Sequence, residues 1–486
     1  MRDTSLIYLN GRRVDLPASA LFQSLSDYLR NDVGLTGTKI VCAEGDCGSC
    51  TVMVGRVIND TIVYKPVCAC IAYLFQLDGT HVVTIEGLTP ADEPNAVQRA
   101  MVECHGTQCG FCTPGFVVSM CAMFEDRDRT TPLNVRRALS GNLCRCTGYE
   151  TILNAAALVD TSKVRGVRSI YTDPQIQTDL RRVTSEPLFA QHAGRTMYKP
   201  VTLEQAVAFR AQHRGCTIIA GGTDLGVVMN KGHADPKVLL ITSGVTELNA
   251  LRVENGAIHA GANVTLSQLE AVTETHLPEF ARMLWRHGSP LTRNAGTLAG
   301  NVANGSPIGD TMPALFVLGA KVQLTGTSGP RTIDINNFYT GYRRSVMRDD
   351  ELITRITLPI PATGDVFKLF KISKRQDMDI SGFTTAVWLR LDGQRITSAR
   401  VAMGGVGATI LRLSKTEAFL VGQDATEHTL RRAGEIARSE IAPISDVRGS
   451  ADYRLTLAQN IFLKLWHDLH PDAAEFVSSN GNGEVH

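Results

Sequence analysis

Cysteine carries the clearest chemical signal in this sequence of 486 residues, because all twelve cysteines except Cys216 precede residue 150. Thiols in the cytosol stay reduced, and closely spaced reduced thiols are typical metal ligands rather than halves of structural disulfides. The cysteine distribution therefore predicts a metal-binding front and a chemically different rear.

The first cysteine group has the spacing C-x4-C-x2-C with a fourth cysteine after seventeen further residues: Cys42, Cys47, Cys50 and Cys68. This is the plant-type ferredoxin pattern, in which four thiolates hold a 2Fe-2S cluster. A structural zinc site is the alternative, although zinc sites favour two separated pairs. Cys70 lies two residues beyond Cys68, so either can be the fourth ligand; we assign this role to Cys68.

The second cysteine group consists of two close pairs separated by thirty-one residues: Cys109 and Cys112, then Cys144 and Cys146. Both pairs can close on one metal centre, and the spacing alone leaves zinc and iron open. Cys112 directly precedes a predicted helix, whose partial positive charge favours a thiolate. The remaining cysteines are expected to be small buried hydrophobes: Cys70, Cys104, Cys121 and Cys216.

Two glycine-rich loops in the rear form the other candidate site. The first follows a predicted strand and comprises Ile218, Ile219, Ala220, Gly221, Gly222, Thr223, Asp224 and Leu225. Main-chain amides in such a turn can approach a pyrophosphate, but the GxGxxG spacing is absent and a glycine pair after a strand is usually only a turn. A second such loop, 293–301, leads into 304–310, and two loops in one domain favour phosphate or ribose binding.

A small α+β module should position the first cysteine group. Asn10-Gly11 lies between two apolar segments and predicts a type I′ hairpin. A helix is expected from Ser19, which would cap it, with Leu21, Leu25 and Leu29 on one face. Short strands are predicted over 51–54, 62–64 and 81–85.

Helices dominate the next part of the chain. Four are predicted, over 95–103, 113–124, 133–140 and 150–159, and should pack as a bundle around the second cysteine group. The charged segment 161–195 has weak periodicity and indicates a linker. In the rear, strands are predicted at 216–220, 238–242, 257–260, 321–325 and within 367–422, and helices at 202–212, 266–274, 427–441 and 452–467.

Composition excludes several protein classes. Lys and Arg number 49 against 48 Asp and Glu, which disfavours a nucleic-acid binder. A hydrophobic fraction of 43% is enough for several cores and disfavours a disordered chain. No segment approaches the roughly 20 apolar residues of a membrane span, and the apolar run Leu6–Leu9 is too short for a secretion signal. We therefore expect a cytoplasmic protein that binds neither nucleic acid nor membranes.

Taken together, these motifs resemble the xanthine dehydrogenase family. The likeness to its two-cluster iron–sulfur portion lies in the first cysteine group, in QCGFCTPG at 108–115 and in CRCTGY at 144–149. The likeness to its FAD domain lies in AGGTDL at 220–225 and NVANGSPIGD at 301–310. No segment resembles the molybdenum-cofactor domain, so the chain is most similar to the small, iron–sulfur and FAD-bearing subunit of the bacterial two-subunit members.

The resemblance implies a multidomain α+β architecture. Its parts would be a β-grasp 2Fe-2S ferredoxin-like domain at 1–86, a four-helix bundle with a second 2Fe-2S cluster at 87–162, a linker at 163–195, an FAD-binding domain of the vanillyl-alcohol-oxidase type at 196–364, a C-terminal α+β domain at 365–476 and a disordered tail at 477–486.

The resemblance also implies cofactor-binding residues. The loop 218–225 would hold the FAD pyrophosphate, and Asp310, Ile353 and Lys371 would contact the cofactor. The second binding loop would consist of Thr297, Leu298, Ala299, Gly300 and Asn301. This sequence departs from the family where Ala299 replaces a glycine and where His287 replaces a phenylalanine near the flavin. His287 is either a flavin contact or merely a surface histidine.

The implied function is electron transfer. A partner subunit with a molybdenum cofactor would oxidise hypoxanthine and xanthine to urate, and electrons would pass through the Cys109 cluster, the Cys42 cluster and FAD to NAD. The loop 374–379 would decide between NAD and oxygen, and the family favours NAD. The expected assembly is an (αβ)2 heterotetramer, with no catalytic acid or base in this chain. The alternatives are a related aldehyde or N-heterocycle molybdenum hydroxylase and a zinc-stabilised binding module without redox function.

Overall fold

The structure is a computed structural model that describes residues 1–89, 93–125 and 131–471. The tail at 477–486, which we expected to be disordered, and the last residues of the expected C-terminal domain lie outside these ranges. Among the described helices, none combines the length and the apolar content that crossing a membrane requires.

The front of the molecule is a five-stranded mixed sheet with one short helix. Its elements are β1 (Ser5–Leu9), β2 (Arg12–Leu16), α1 (Leu25–Asp27), β3 (Thr51–Ile58), β4 (Thr61–Cys68) and β5 (Thr80–Val83). The strand order is β2-β1-β5-β3-β4, with β1 parallel to β5 and the other pairs antiparallel. Asn10 and Gly11 have φ angles of 48° and 80°, so the turn has the positive φ values of the predicted type I′ hairpin.

The helix that we predicted from Ser19 begins later. Ser24 caps α1 by accepting a hydrogen bond from the amide of Asp27, and the chain continues as one π-helical turn, Tyr28–Asp32. The preceding residues 17–23 form turns, and the carbonyls of Leu21 and Gln23 accept hydrogen bonds from the distant segment 74–75, so tertiary contacts replace helical hydrogen bonds in this stretch. The predicted apolar face is nevertheless correct, because Leu21, Leu25 and Leu29 are all fully buried.

Four short helices follow: α2 (Ala96–Glu103), α3 (Thr113–Glu125), α4 (Pro132–Leu139) and α5 (Glu150–Leu158). All four were predicted, with no bound differing by more than one residue. Asn95 caps α2 and exchanges hydrogen bonds with Gln98, a capping box that fixes where the helix begins. Phe116, Met120 and Ile152 lie in the common core of this bundle.

The segment expected to be a linker has elements of its own. It contains α6 (Val167–Ile170), α7 (Pro174–Thr184) and the strand β6 (Leu188–His192). In α7, Ile176, Leu180 and Val183 form an apolar stripe that packs against Leu6 and Tyr8 of the front sheet. The surrounding charges concealed this i, i+4, i+7 spacing, so the weak periodicity was misleading.

The rear begins with two larger sheets, one two-stranded sheet and seven α-helices. The strands after β6 are β7 (Arg195–Lys199), β8 (Thr217–Ile219), β9 (Val238–Ile241), β10 (Leu251–Glu254), β11 (Ala257–Gly261), β12 (Lys321–Gly326), β13 (Gly329–Asp334), β14 (Tyr339–Gly341), β15 (Arg344–Ser345) and β16 (Leu352–Pro359). The helices are α8 (Leu203–Gln212), α9 (Thr223–Asn230), α10 (Leu266–His276), α11 (Pro278–Trp285), α12 (Pro290–Arg293), α13 (Leu298–Asn304) and α14 (Met312–Leu318). The sheets have the orders β6-β7-β9-β8 and β10-β11-β16-β12-β13, and β14 pairs with β15.

The last region is an antiparallel sheet, β17-β18-β19-β20, covered by three helices. Its elements are β17 (Val366–Ile372), β18 (Phe383–Asp392), β19 (Arg395–Gly404), β20 (Leu411–Arg412), α15 (Ser414–Leu420), α16 (Glu427–Glu440) and α17 (Ala451–Leu469). The buried core continues across region boundaries: Ile7 and Val52 of the front sheet share one core with Ile219 and Ile241 of the rear. The first cysteine group is therefore packed directly against the glycine-loop region.

Candidate functional site

The first cysteine group lies on a tightly wound loop before β3 and at the end of β4. Ala43, Gly45 and Gly48 in this loop have φ angles of 54°, 76° and 66°, a left-handed backbone that wraps the chain around the sulfur atoms. The amide of Glu44 donates to Cys42 Sγ at 3.4 Å, and the amide of Cys70 donates to Cys50 Sγ at 3.4 Å. Amides directed at sulfur are the kind of contact that stabilises a metal-bound thiolate.

Five thiols meet in this loop, one more than a 2Fe-2S cluster uses. A hydrogen bond with Cys47 lowers the pKa of the Cys42 thiol. The thiol of Cys50 is hydrogen-bonded to both Cys68 and Cys70, and the first of these contacts raises its pKa. Cys70 hydrogen-bonds with both Cys42 and Cys50, and these contacts raise its pKa. The structure thus brings the predicted set together and adds Cys70, which contacts two of its members.

In the second cysteine group, each thiol of the first pair contacts a thiol of the second pair. Cys146 Sγ lies 3.6 Å from Cys109 Sγ. Burial and a hydrogen bond with Cys144 raise the pKa of Cys112 to about 12. Cys144 Sγ also accepts hydrogen bonds from the amides of Cys146 at 3.4 Å and Thr147 at 3.5 Å. Two turns far apart in sequence therefore present their thiols to one another.

Every cysteine is free in the structure, so no disulfide competes with metal binding. Each iron of a 2Fe-2S cluster takes two thiolates, and thiols arranged in pairs fit that binuclear cluster. A structural zinc ion would instead take four ligands around one centre.

The two groups differ in exposure. Cys50, Cys68 and Cys70 are each 2% exposed, whereas Cys109 and Cys146 are at the surface. Exposed apolar side chains lie close to cysteines of the second group in sequence: Phe111, Leu143 and Tyr149. One more, Val41, precedes Cys42 of the first group. The groups are also in direct contact, because the amide of Leu143 donates to the carbonyl of Cys47 at 2.9 Å and Leu143 is bonded to Cys144.

The two glycine loops of the rear, 218–225 and 293–301, lie against each other, and we call this pair of loops the glycine cradle. The turn after β8 passes so close to the second loop that a Cβ on Gly221 would collide with the carbonyl of Ala295. Gly222, with a φ of 67°, directs the chain into α9, and Thr297 caps α13 by accepting from the amide of Gly300 at 2.9 Å. Two loops in backbone contact, with amides at helix starts, fit the phosphate binding expected of them.

Asp310, His287 and Lys371 meet in one buried cluster. Asp310 Oδ2 lies 2.7 Å from Lys371 Nζ and 2.9 Å from His287 Nδ1, and Asp310 Oδ1 accepts from Ser381 Oγ at 2.5 Å. Burial would raise the pKa of Asp310, but His287 and Lys371 outweigh it and lower this pKa to about 2. His287 thus contacts the Asp310 carboxylate directly, and its side chain is only 19% exposed. Lys371 and Ser381 lie in the C-terminal region, so two regions share the cluster.

Ile353 is in a different environment. It is 8% exposed on β16, within the large apolar core, and forms no part of the charged cluster. Its prediction as a flavin contact is not tested by this placement, because a core residue can also line a cofactor cleft.

Helix α9 connects the glycine cradle to the first cysteine group. At its last residue, Asn230 Nδ2 donates to the carbonyls of Ala43 and Cys70, both at 2.8 Å, and Tyr73 OH donates to Asn230 Oδ1 at 2.9 Å. At the other end of the helix, Gln76 Nε2 donates to the carbonyl of Gly221 at 3.1 Å. Our sequence analysis missed Asn230, because nothing in the local pattern indicates a contact with residues about 160 to 190 positions earlier.

Four domain families match successive parts of the chain. They are the 2Fe-2S iron–sulfur cluster binding domain at 7–74, the [2Fe-2S] binding domain at 84–157, the FAD binding domain in molybdopterin dehydrogenase at 191–361 and the CO dehydrogenase flavoprotein C-terminal domain at 368–469. The matches support two 2Fe-2S-binding domains and one FAD-binding domain, in agreement with the paired thiols and the glycine cradle.

Relatives of known identity agree with these matches. Xanthine dehydrogenase 1 of Arabidopsis thaliana is 31% identical over 95% of this chain, and the chain spans only 39% of that relative's length. Carbon monoxide dehydrogenase from Hydrogenophaga pseudoflava is 27% identical with a TM-score of 0.53, over 55% of this chain and 94% of the solved one. Quinoline 2-oxidoreductase from Pseudomonas putida 86 is 27% identical with a TM-score of 0.52, over 56% and 94%.

Proposed function

The chain belongs to the xanthine dehydrogenase family, of which it carries the iron–sulfur and FAD-binding domains, and we propose that it is the electron-transfer subunit of a xanthine dehydrogenase. The second cysteine group would receive electrons from a molybdenum-cofactor-binding partner that oxidises hypoxanthine and xanthine to urate. The first group would pass them toward the FAD loops, and NAD would be the final acceptor. We further propose a cytoplasmic (αβ)2 heterotetramer.

One observation carries the proposal. Direct contacts link the exposed second cysteine group to the first group, and the first group to the glycine cradle. Cys109 and Cys146 lie at the surface, Leu143 links their group to Cys47, and Asn230 links the first group to α9. FAD, when bound, accepts single electrons and donates a hydride, which is why it suits the junction between iron–sulfur clusters and NAD.

The exposed apolar side chains around the second group support docking of the partner there. Phe111 is 46% exposed, Leu143 40% and Tyr149 37%, and each lies within three residues of a cysteine of the second group. Clustered exposed aromatic residues are typical of protein interfaces. A partner that covered this face would bring its own redox centre next to the second cysteine group.

For the fourth ligand of the first cluster we propose Cys70 in place of Cys68. Cys70 is hydrogen-bonded to the thiols of Cys42 and Cys50, so it joins the two halves of the group. Cys68 is hydrogen-bonded to Cys50 and points its own thiol at the carbonyl of Gly45, 3.4 Å away.

The charged cluster supports FAD binding from a second side. We propose that Asp310 and Lys371, together with His287, hold the rear and C-terminal regions in the relative position that the cofactor requires. The loops 218–225 and 297–301 would bind the pyrophosphate through main-chain amides, and Ile353 would contribute an apolar contact to the flavin.

Isolation of the native complex tests the proposal. We expect about four irons and one FAD for each copy of this chain, as two binuclear clusters and one flavin require, together with molybdenum in the partner. Xanthine should then reduce NAD. A colourless, iron-free preparation would refute the electron-transfer role.

A related molybdenum hydroxylase is the second candidate, because carbon monoxide dehydrogenase and quinoline 2-oxidoreductase are structural neighbours. Incubating the complex with purines, aldehydes and N-heterocycles in parallel separates the candidates, since only the true substrate class should bleach the flavin absorption.

A further inference from the structure

The contact between the two cysteine groups is built around one buried asparagine. Asn142 is 3% exposed and lies two residues before Cys144. Its Nδ2 donates to the carbonyl of Gly48 at 3.1 Å and to Thr51 Oγ1 at 3.4 Å, and its Oδ1 accepts from Ser119 Oγ at 2.7 Å. One side chain therefore binds the loop of the first group and the helix α3 that follows Cys112.

The surrounding backbone leaves no space for another arrangement. A Cβ on Gly48 would collide with the carbonyl of Gly141, and a Cβ on Gly115 would collide with the carbonyl of Gly48. Because Gly48 lies between Cys47 and Cys50, and Leu143 donates to Cys47, the turn that carries Cys144 rests directly on the loop of the first group.

We propose that Asn142 is a positioning residue that sets the separation and relative orientation of the two cysteine groups. This inference rests on the proposed electron-transfer function. A buried amide whose donors and acceptor are all satisfied holds its partners in one geometry, and the hydrogen bond from Leu143 to Cys47 depends on the backbone that Asn142 anchors. The rate of electron exchange between two centres falls steeply as their separation grows. Loss of the Asn142 hydrogen bonds should therefore slow this exchange.

Electron paramagnetic resonance of the full chain, reduced with dithionite, tests this role. In the wild type we expect two reduced-cluster signals split by magnetic interaction between the clusters. In Asn142→Ala the splitting should narrow or disappear while iron content stays unchanged, and electron exchange between the clusters should slow several-fold. Asn142→Asp retains the acceptor for Ser119 and loses both donors, and it should give the same loss.

A matched control is Asn336→Ala. Asn336 Nδ2 donates to the carbonyl of Phe316 and Asn336 Oδ1 accepts from Arg412, so it also joins two regions but lies away from the cysteines. It should lower Tm without changing the splitting. If Asn142→Ala does not fold, Ser119→Ala frees one side of the amide and should narrow the splitting to a smaller extent.

The possible outcomes are distinct. Two cluster signals whose splitting is unchanged in the Asn142 variants, or in Ser119→Ala where only that variant folds, would overturn this inference and leave the electron-transfer function intact. A wild-type chain without cluster signals would overturn the proposed function itself.

Discussion

The two cysteine groups use the same ligand type in opposite settings. The first is enclosed by the front sheet and by α9 of the rear, whereas two thiols of the second lie at the surface among exposed apolar side chains. Burial protects a centre from solvent and fixes its neighbours, while exposure lets a centre exchange with another protein. The difference fits the roles proposed for the two groups, in which the first is an internal electron relay and the second receives electrons from the partner.

The largest expected effect concerns which thiol completes the internal relay. Cys70→Ser should remove the first cluster and about half of the iron, because a 2Fe-2S cluster needs four thiolates. Cys68→Ser should retain both clusters. Iron analysis and the visible spectrum measure this, with Cys216→Ser as a control for loss of a buried thiol far from both groups. Iron loss in Cys68→Ser alone would restore Cys68 as the ligand.

The next largest effect concerns the ion pairs that join the front sheet, which carries the first cysteine group, to the rear. Asp78 has a fully buried side chain that pairs with Lys199 at 2.8 Å and with Arg2 at 2.7 Å. Asp78→Asn leaves the buried Lys199 without a counter-charge and Arg2 with only Glu186. It should reduce the free energy of unfolding by about 3–5 kcal/mol. Denaturant titration measures this. Asp235→Asn, in an exposed ion pair, should change little.

The lowered pKa of Asp78 predicts how the stability of the protein changes in acid. Burial of Asp78 would raise its pKa, but Lys199 and Arg2 lower it to about 2. A carboxylate with a lowered pKa stabilises the fold above its ordinary pKa of about 3.9 and loses that contribution as the pH falls toward 2. Tm should therefore fall across this range in the wild type and less steeply in Asp78→Asn. Parallel acid curves for the two proteins would contradict the assignment.

A smaller effect tests whether the partner docks at the second cysteine group. Phe111→Asp should weaken binding of the molybdenum partner by about 2 kcal/mol, a typical cost for an aromatic residue central to an interface, with both clusters retained. Co-purification or direct binding measurements show this. Val253→Asp changes a side chain of similar exposure on β10, remote from the cysteines, and should bind normally. Equal binding by both variants would place the partner elsewhere.

The smallest expected effect concerns the contact that helix α9 makes between the first cysteine group and the glycine cradle. Asn230→Ala removes two hydrogen bonds to carbonyls of the first group and should cost only about 1 kcal/mol of stability, with reduction of the flavin slowed several-fold. Stopped-flow absorbance measures the rate. The adjacent Lys231→Ala removes an exposed ion pair with Glu44 and should leave the rate unchanged. A normal rate in Asn230→Ala would show that α9 does not set this junction.

Local patterns were sufficient for much of the fold. The Asn10-Gly11 hairpin and the four helices around the second cysteine group were predicted because turn chemistry, caps and apolar spacing act within a few residues. The helix expected at Ser19 begins at Leu25. The carbonyls of Leu21 and Gln23 accept hydrogen bonds from the distant segment 74–75, so they are not available for helical bonding. In the segment 163–195, charges hid the apolar stripe of α7 that packs on the front sheet.

The sequence by itself determined the ligand types, because cysteine spacing within a loop limits which thiols can share a cluster and glycine is required where main chains touch. Only the tertiary structure decided that five thiols meet in the first group, that His287 pairs with Asp310, and that Asn142 and Asn230 join the groups to their neighbours. Such contacts connect residues far apart in the chain. Their geometry depends on how whole domains pack, which no local pattern encodes.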